Sequence, residues 1–299
     1  MAPISYQRKT IFLRCHSQHT GEAMDYNKMH ADWAMQHQNI VGKKVIVIGC
    51  NSGLDCAHFV DGGAREVHGL DVLDNIGCDY FHPKVKYTKA SAEDIPIESD
   101  FFDLVYCFAT MEHVPDIESA FKEMARITKP DGLIYCVASP LWNSRHGHHY
   151  PQYFADYPWA HLRLNQRQAF EYLEASNIAI EAANGDRQMV SAYMYDRTNF
   201  NMTPSHKYVS ACEKLAGFKV LRNGLDIEPE AMLDEAIKIE LEAKGYTSED
   251  LRAVTHTYIG RKKSKIPAIN IINGFYDIVR QLRNKLAFIK AAILRRLKA

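Results

Sequence analysis

Two groupings of residues in this sequence have the types and spacing to do chemistry. The first is the run His146-x-His148-His149, set among Trp142, Tyr150, Tyr153 and Trp159. Histidine changes protonation near neutral pH, so such a run suits proton transfer. A metal reading wants three or four ligands at fixed spacing. No nearby cysteine or paired carboxylate completes a set around the run, so no metal is expected. The second grouping is Gly49-Cys50-Asn51-Ser52-Gly53, followed 18 residues after Gly53 by Asp71. A glycine turn opening a helix presents backbone N–H groups to a ligand, and an acid at the next strand end sits where a ribose is held. A nucleoside-type ligand is the leading expectation.

The elements that must position these residues follow from the flanking pattern. Val45 to Ile48 is a short β-branched run suited to a strand buried on both faces. Leu54 to Val60 is helix-compatible, and Glu66 to Leu70 is a second apolar segment ending in Asp71. A dinucleotide fingerprint would place glycines at 49, 51 and 54, but Asn51 and Leu54 stand there; no Gly-Lys-Ser/Thr follows the turn either. Val85 to Tyr87 reads as a third strand and Phe102 to Phe108 as a fourth. Ile117, Phe121, Met124 and Ile127 have helical spacing, and Lys129-Pro130-Asp131-Gly132 is a turn before a strand from Leu133 to Ala138. A leading helix is expected from about Glu22 to Asn39.

The Lys44–Val72 stretch resembles motif I of the seven-stranded, class I S-adenosylmethionine-dependent methyltransferases (the type 11-like group). Gly49 and Gly53 match its glycines, Asn51 takes the middle one, and Val47 stands where the family carries an acid. Asn tolerates the left-handed turn conformation. The resemblance implies a Rossmann-like, doubly wound α/β fold with a mostly parallel seven-stranded sheet and S-adenosylmethionine as cofactor. Its site would include Gly49, Cys50, Asn51, Gly53, Asp71, Val72, Glu93, Asp94 and Glu112, with Asp94 at the adenine amino group and Met111-Glu112-His113-Val114 near the transferred methyl. Ala211 to Leu221 resembles the family's last helix and entry to strand six, and Thr255 to Lys263 its closing strand. A helix is also expected from Glu228 to Lys244.

Residues 139–201 separate the fifth strand from that last helix. Residues 141 to 200 hold 11 of the chain's 32 aromatics. A long insertion beside the crevice reads as a substrate lid; the alternative is a small hydrophobic subdomain that closes the fold. Aromatic faces with interspersed donors suit a sugar ring or another flat acceptor, so Trp142, His146, Tyr150, Tyr153 and Trp159 are expected to bind it. Methyl transfer to a hydroxyl needs its proton removed, and His149, His148 and then His113 are the candidate bases. The insertion also bears a weaker likeness to bacterial methyltransferases of cell-surface polysaccharide synthesis. The expected reaction is O-methylation of a sugar or glycan precursor. The alternatives are a quinone or other small-lipid acceptor, or an inactive binding scaffold, which Val47 and Asn51 would support and Asp71 and Asp94 oppose.

Composition bounds the rest. The 299 residues, 46% hydrophobic and 24% charged, are those of a globular chain. Seven cysteines without a C-x-x-C pair point to reduced thiols and a cytoplasmic setting. The N-terminal stretch lacks an apolar h-region, and there is no 18-residue uncharged apolar run, so neither secretion nor membrane spanning is expected. The formal net charge of zero hides a basic tail: residues 261–299 carry 11 Lys/Arg against Asp277 alone. The organisation expected is an N-terminal segment and helix over 1–40, a methyltransferase domain over 41–263 and a basic amphipathic helix over 264–299. Residues 268–299 suit an anionic membrane surface at its inner face or self-association; nucleic acid is the least favoured partner.

Overall fold

The computed structural model describes residues 25–264 and Val279. In chain order the elements are α1 (Tyr26–His37), β1 (Lys44–Ile48), α2 (Leu54–Asp61), β2 (Glu66–Asp71), β3 (Val85–Lys89), β4 (Phe102–Phe108), α3 (Ile117–Ile127) and β5 (Thr128–Ala138). There follow α4 (Ala160–Arg163), α5 (Gln166–Ala175), α6 (Arg187–Tyr195), α7 (Ser205–Glu213), β6 (Phe218–Ile227), α8 (Glu235–Glu242), α9 (Ser248–Arg252) and β7 (Ala253–Lys262). The strands form a single seven-stranded sheet of order β3-β2-β1-β4-β5-β7-β6. Its first five strands run parallel, and β7 is antiparallel to both β5 and β6. The expected α/β architecture is therefore present.

Alternation along the central strands explains why the sheet is covered on both faces. Ile46, Ile48, Val105, Cys107, Ile134 and Cys136 pack with α3 and α7, whereas Val45, Val47, Leu104, Tyr106, Leu133 and Tyr135 pack with α1 and α2. Burying each such aliphatic side chain is worth about 1.5–3 kcal/mol, so the two faces make exchange of register costly. Val47, at the position where the family carries an acid, is 1% exposed in the α1/α2 face and pairs with Gly69 and Tyr106.

Two expected boundaries change for local reasons. The fifth strand begins at Thr128 rather than Leu133: Thr128 already pairs with Phe102, and an irregularity at Asp131, with φ 65°, absorbs the expected turn inside the strand. The helix expected over Glu228–Lys244 is shortened to α8, because Asp234 accepts hydrogen bonds from the Ala236 and Ile237 amides and caps it there.

The insertion is not a loop. Residues 139–201 contain α4, α5 and α6 and enclose their own core of Tyr150, Tyr153, Phe154, Ala169, Leu173, Val190 and Met194. A further cluster, Trp142, Trp159, Leu162, Phe200, Leu241 and Leu251, seats it on α8 and α9. Among the described residues no helix is long and apolar enough to cross a membrane. Among the described residues six cysteines are free thiols, all buried except Cys78. The basic helix expected over 264–299 lies outside the described residues.

Candidate active site

The carboxyl ends of β1, β2 and β4 meet at the turn Gly49–Gly53. Leaving β1, the Gly49 and Cys50 amides donate to the Leu70 carbonyl at 2.8 and 3.2 Å, which locks the turn to the end of β2. Gly49 (φ 75°), Asn51 (φ 48°) and Gly53 (φ 96°) are all left-handed. At Gly49 a Cβ would lie 2.0 Å from Oγ1 of Thr110, so glycine is demanded there by close approach as well as by φ. The turn ends at the N-terminus of α2, where Gly53 stands at the cap and offers the first-turn amides no side-chain acceptor.

Asp71 ties this turn to β2. Its Oδ2 accepts from the Asn51 amide at 2.9 Å, and its Oδ1 from the Val72 and Leu73 amides at 2.7 and 3.2 Å. A carboxylate has about four lone-pair sites, so three amides orient it and leave one direction for a ligand hydroxyl. Val72 beside it is 45% exposed, an apolar edge a base could cover. Asp94 is exposed past the end of β3. Glu93 accepts from Ser91 Oγ at 2.9 Å and from the Asp116 amide at 2.6 Å, just ahead of α3. Cys50 is 2% exposed; burial and a hydrogen bond with Cys56 push its thiol pKa up, which makes it a packing residue.

The segment after β4 brings in the second half of the site. Met111–His113 forms a 3₁₀ turn. Glu112 is 2% exposed, and neither of its carboxyl oxygens has a hydrogen-bond partner. Burial raises its pKa to about 8, and the nearby backbone of Glu112 and Ser139 offsets only part of that. The insertion adds His149, held at φ 64°. One donor atom each from Glu112, His113 and His149 lies within 4.8 Å of the other two. The His113 and His149 rings stand 5.1 Å apart, and Phe200 packs on both, at 5.4 and 4.9 Å. Burial lowers the pKa of both imidazoles.

The remaining expected residues divide by what their polar atoms do. His148 is 1% exposed and its Nδ1 accepts from the Tyr150 amide at 3.0 Å, so that nitrogen is spent; its ring packs on Phe154 and His161, away from the Glu112 cluster. That corrects its candidacy as base. Tyr153 and Trp159 are likewise core residues rather than acceptor contacts: the Tyr153 hydroxyl accepts from the Glu181 and Ala182 amides, and Trp159 Nε1 donates to the Leu251 carbonyl. Tyr150, 1% exposed, stacks between Tyr153 and Tyr193. Trp142 is closer to the site, packing on Phe200 at 5.1 Å. It also borders a cleft of about 380 Å³ lined by Asn143, Arg197, Met202, His206 and Tyr246. His146 is partly buried, 6.3 Å from His148.

Sequence reasoning missed the clasp that holds the two halves together. Asn201 Nδ2 donates to the Met111 and Val114 carbonyls at 2.8 and 2.9 Å, and its amide donates to the Glu112 carbonyl at 3.0 Å. Asn199, Phe200 and Asn201 carry no motif. Their position, at the point where the insertion returns to the sheet, was the available signal.

Residues 46–136 match a family model described as a methyltransferase domain. Curated relatives include the ubiquinone biosynthesis O-methyltransferases of Neisseria meningitidis serogroup A, 29% identical over 119 residues, and of Dechloromonas aromatica, 33% identical over 118. Each alignment covers 37% of this chain and 50% of the relative, so the chain spans about half the length of the curated relatives it matches. Among solved structures, an S-adenosylmethionine-dependent methyltransferase from Mesorhizobium loti aligns over 78% of this chain and 98% of its own, at 16% identity and a TM-score of 0.47. The region of likeness to a methyltransferase domain thus runs from within β1 into β5. The left-handed turn with its tethered Asp71 fits the S-adenosylmethionine expected from the sequence.

Proposed function

We propose that this protein transfers a methyl group from S-adenosylmethionine to an oxygen of a sugar or glycan precursor. The observation that carries the reading is the convergence of Glu112 and His113, from the end of β4, with His149 from the insertion, beside Thr110 and the Gly49 turn. The cofactor supplies an electrophilic methyl, so the chain's task is to align the acceptor and accept its proton. Asp71, Gly49 and Asn51 hold the nucleoside end. His149 Nε2, buried and without a partner, is the atom to take the acceptor proton. Trp142 and Phe200 form an aromatic wall, and the polar cleft beside Trp142 offers room for the rest of a glycan.

The family match ends at residue 136, before the insertion, so it leaves the acceptor open. The names of the curated relatives favour a second reading, a quinone-type phenol. Transfer of labelled methyl to a panel of sugar nucleotides and isoprenoid phenols separates the two. Labelling of phenols alone would reject the glycan reading. Residues 268–299 would serve contact with an anionic membrane surface or self-association, with the catalytic body in the cytoplasm.

A further inference from the structure

The geometry points to a binding site for a divalent transition-metal cation formed by Glu112, His113 and His149. Their donor atoms converge within 4.8 Å, and the donor set is two imidazoles and one carboxylate. That set suits Zn²⁺, Fe²⁺, Mn²⁺ or Co²⁺ in a site with open coordination positions, and suits Mg²⁺ or Ca²⁺ poorly, since those prefer oxygen alone.

The atoms left without partners are the ones a cation would take. Glu112 is buried with both carboxyl oxygens unsatisfied, an arrangement that is expensive unless something positive or hydrogen-donating arrives. A carbonyl can only accept, so His113 Nδ1 must carry the proton in its 2.5 Å contact with the Asn199 carbonyl, leaving the Nε2 lone pair free. His149 Nε2 is likewise buried without a partner, a second nitrogen open to an ion. Metal-binding histidines are oriented in this way, one nitrogen donating to a backbone carbonyl and the other facing the ion. Phe200, against both rings, limits their rotation.

Ligand atoms bound at ~2.0–2.1 Å in a tetrahedron stand ~3.3 Å apart, so loading requires an inward shift of about an ångström. The histidine run is thus divided: His149 joins this group, and His146 and His148 do not. With a cation bound, His149 Nε2 is a ligand and no longer the base of the methyl-transfer reading, so the two uses of that atom are alternatives; the site itself does not depend on that reading.

The test is calorimetric titration of Zn²⁺, and separately Co²⁺, into chelator-stripped full-length protein, with S-adenosylhomocysteine binding measured on the same preparation. One equivalent is expected to bind at micromolar affinity or tighter, and Co²⁺ to show the visible absorption of a low-coordinate nitrogen/oxygen site. Glu112→Gln and His149→Ala should each weaken binding at least tenfold, while exposed His37→Ala leaves it unchanged. Should either variant fail to fold, the Co²⁺ spectrum of the wild type decides. The proposal is overturned by no saturable binding at one equivalent, by a six-coordinate aqueous-type spectrum, or by unchanged affinity in folded Glu112→Gln and His149→Ala. Loss of S-adenosylhomocysteine binding with metal binding intact would instead count against the methyl-transfer reading.

Discussion

His113 Nδ1 donates to the backbone carbonyl of Asn199 at 2.5 Å, across 86 positions of sequence. That bond joins the segment after β4 to the last residues of the insertion. Whatever the insertion recognises is thereby held in register with Glu112 and His113. Neither half makes the site alone.

Asn201 is the side chain on which this joint rests. Replacing it by alanine removes its bonds to the Met111 and Val114 carbonyls and the 3.0 Å bond to the Tyr208 hydroxyl. The expected loss is about 3 kcal/mol of stability, at roughly 1 kcal/mol per hydrogen bond. Urea unfolding of Asn201→Ala measures it, and an unchanged midpoint would show that the clasp is not stabilising.

Gly49→Ala should abolish most cofactor affinity with little change in the core. The added methyl would sit 2.0 Å from Thr110 Oγ1 and must be carried at φ 75°. Because the clash is with a side chain, Gly49→Ala combined with Thr110→Gly should regain part of the binding. An S-adenosylhomocysteine affinity that is unaffected in the single variant would contradict the close approach.

How far these features were legible in the sequence depends on whether their cause is local. Phe102–Phe108 and Ile117–Ile127 appear with the bounds expected, since each carries its own signals: a nearly continuous buried apolar run, and an Asp116 cap that accepts from the Ser119 amide. Asp71 was likewise readable from its spacing after a glycine turn. The separate fates of His148 and His149 were not, because residue types alone do not reveal the positive φ at His149 that turns adjacent imidazoles apart. The aromatics of the insertion looked like an acceptor surface; composition cannot distinguish a ring that lines a site from one that fills a subdomain's interior.

Tyr153 offers a direct check on that last distinction. Tyr153→Phe leaves the Glu181 and Ala182 amides without their acceptor and should cost about 1–3 kcal/mol in stability. At a temperature where the variant remains folded, its kcat/KM should equal that of the wild type. A selective rise in KM would return Tyr153 to the acceptor site.

Buried histidines weaken the fold in acid, His161 and His256 among them. Burial lowers the pKa of His161 to about 3 and of His256 to about 4, against about 6.5 in an unfolded chain. Between about pH 6.5 and 4 the unfolded chain binds protons that the native one refuses, so stability is full above this window and falls as pH drops through it. Each group contributes a slope of about 1 kcal/mol per pH unit. Urea midpoints at pH 7 and pH 5 should therefore differ clearly; equal midpoints would mean that these imidazoles are not held neutral.

The central claim is that the Gly49–Gly53 turn and Asp71 form an S-adenosylmethionine site, and calorimetric titration of S-adenosylhomocysteine into wild-type and Asp71→Ala protein tests it most directly. Wild type is expected to bind in the micromolar range, with the substitution weakening binding by about 1.5–3 kcal/mol, the loss for a charged hydrogen-bond partner. Absence of saturable binding to the wild type, or equal affinity in the two proteins, would contradict the account.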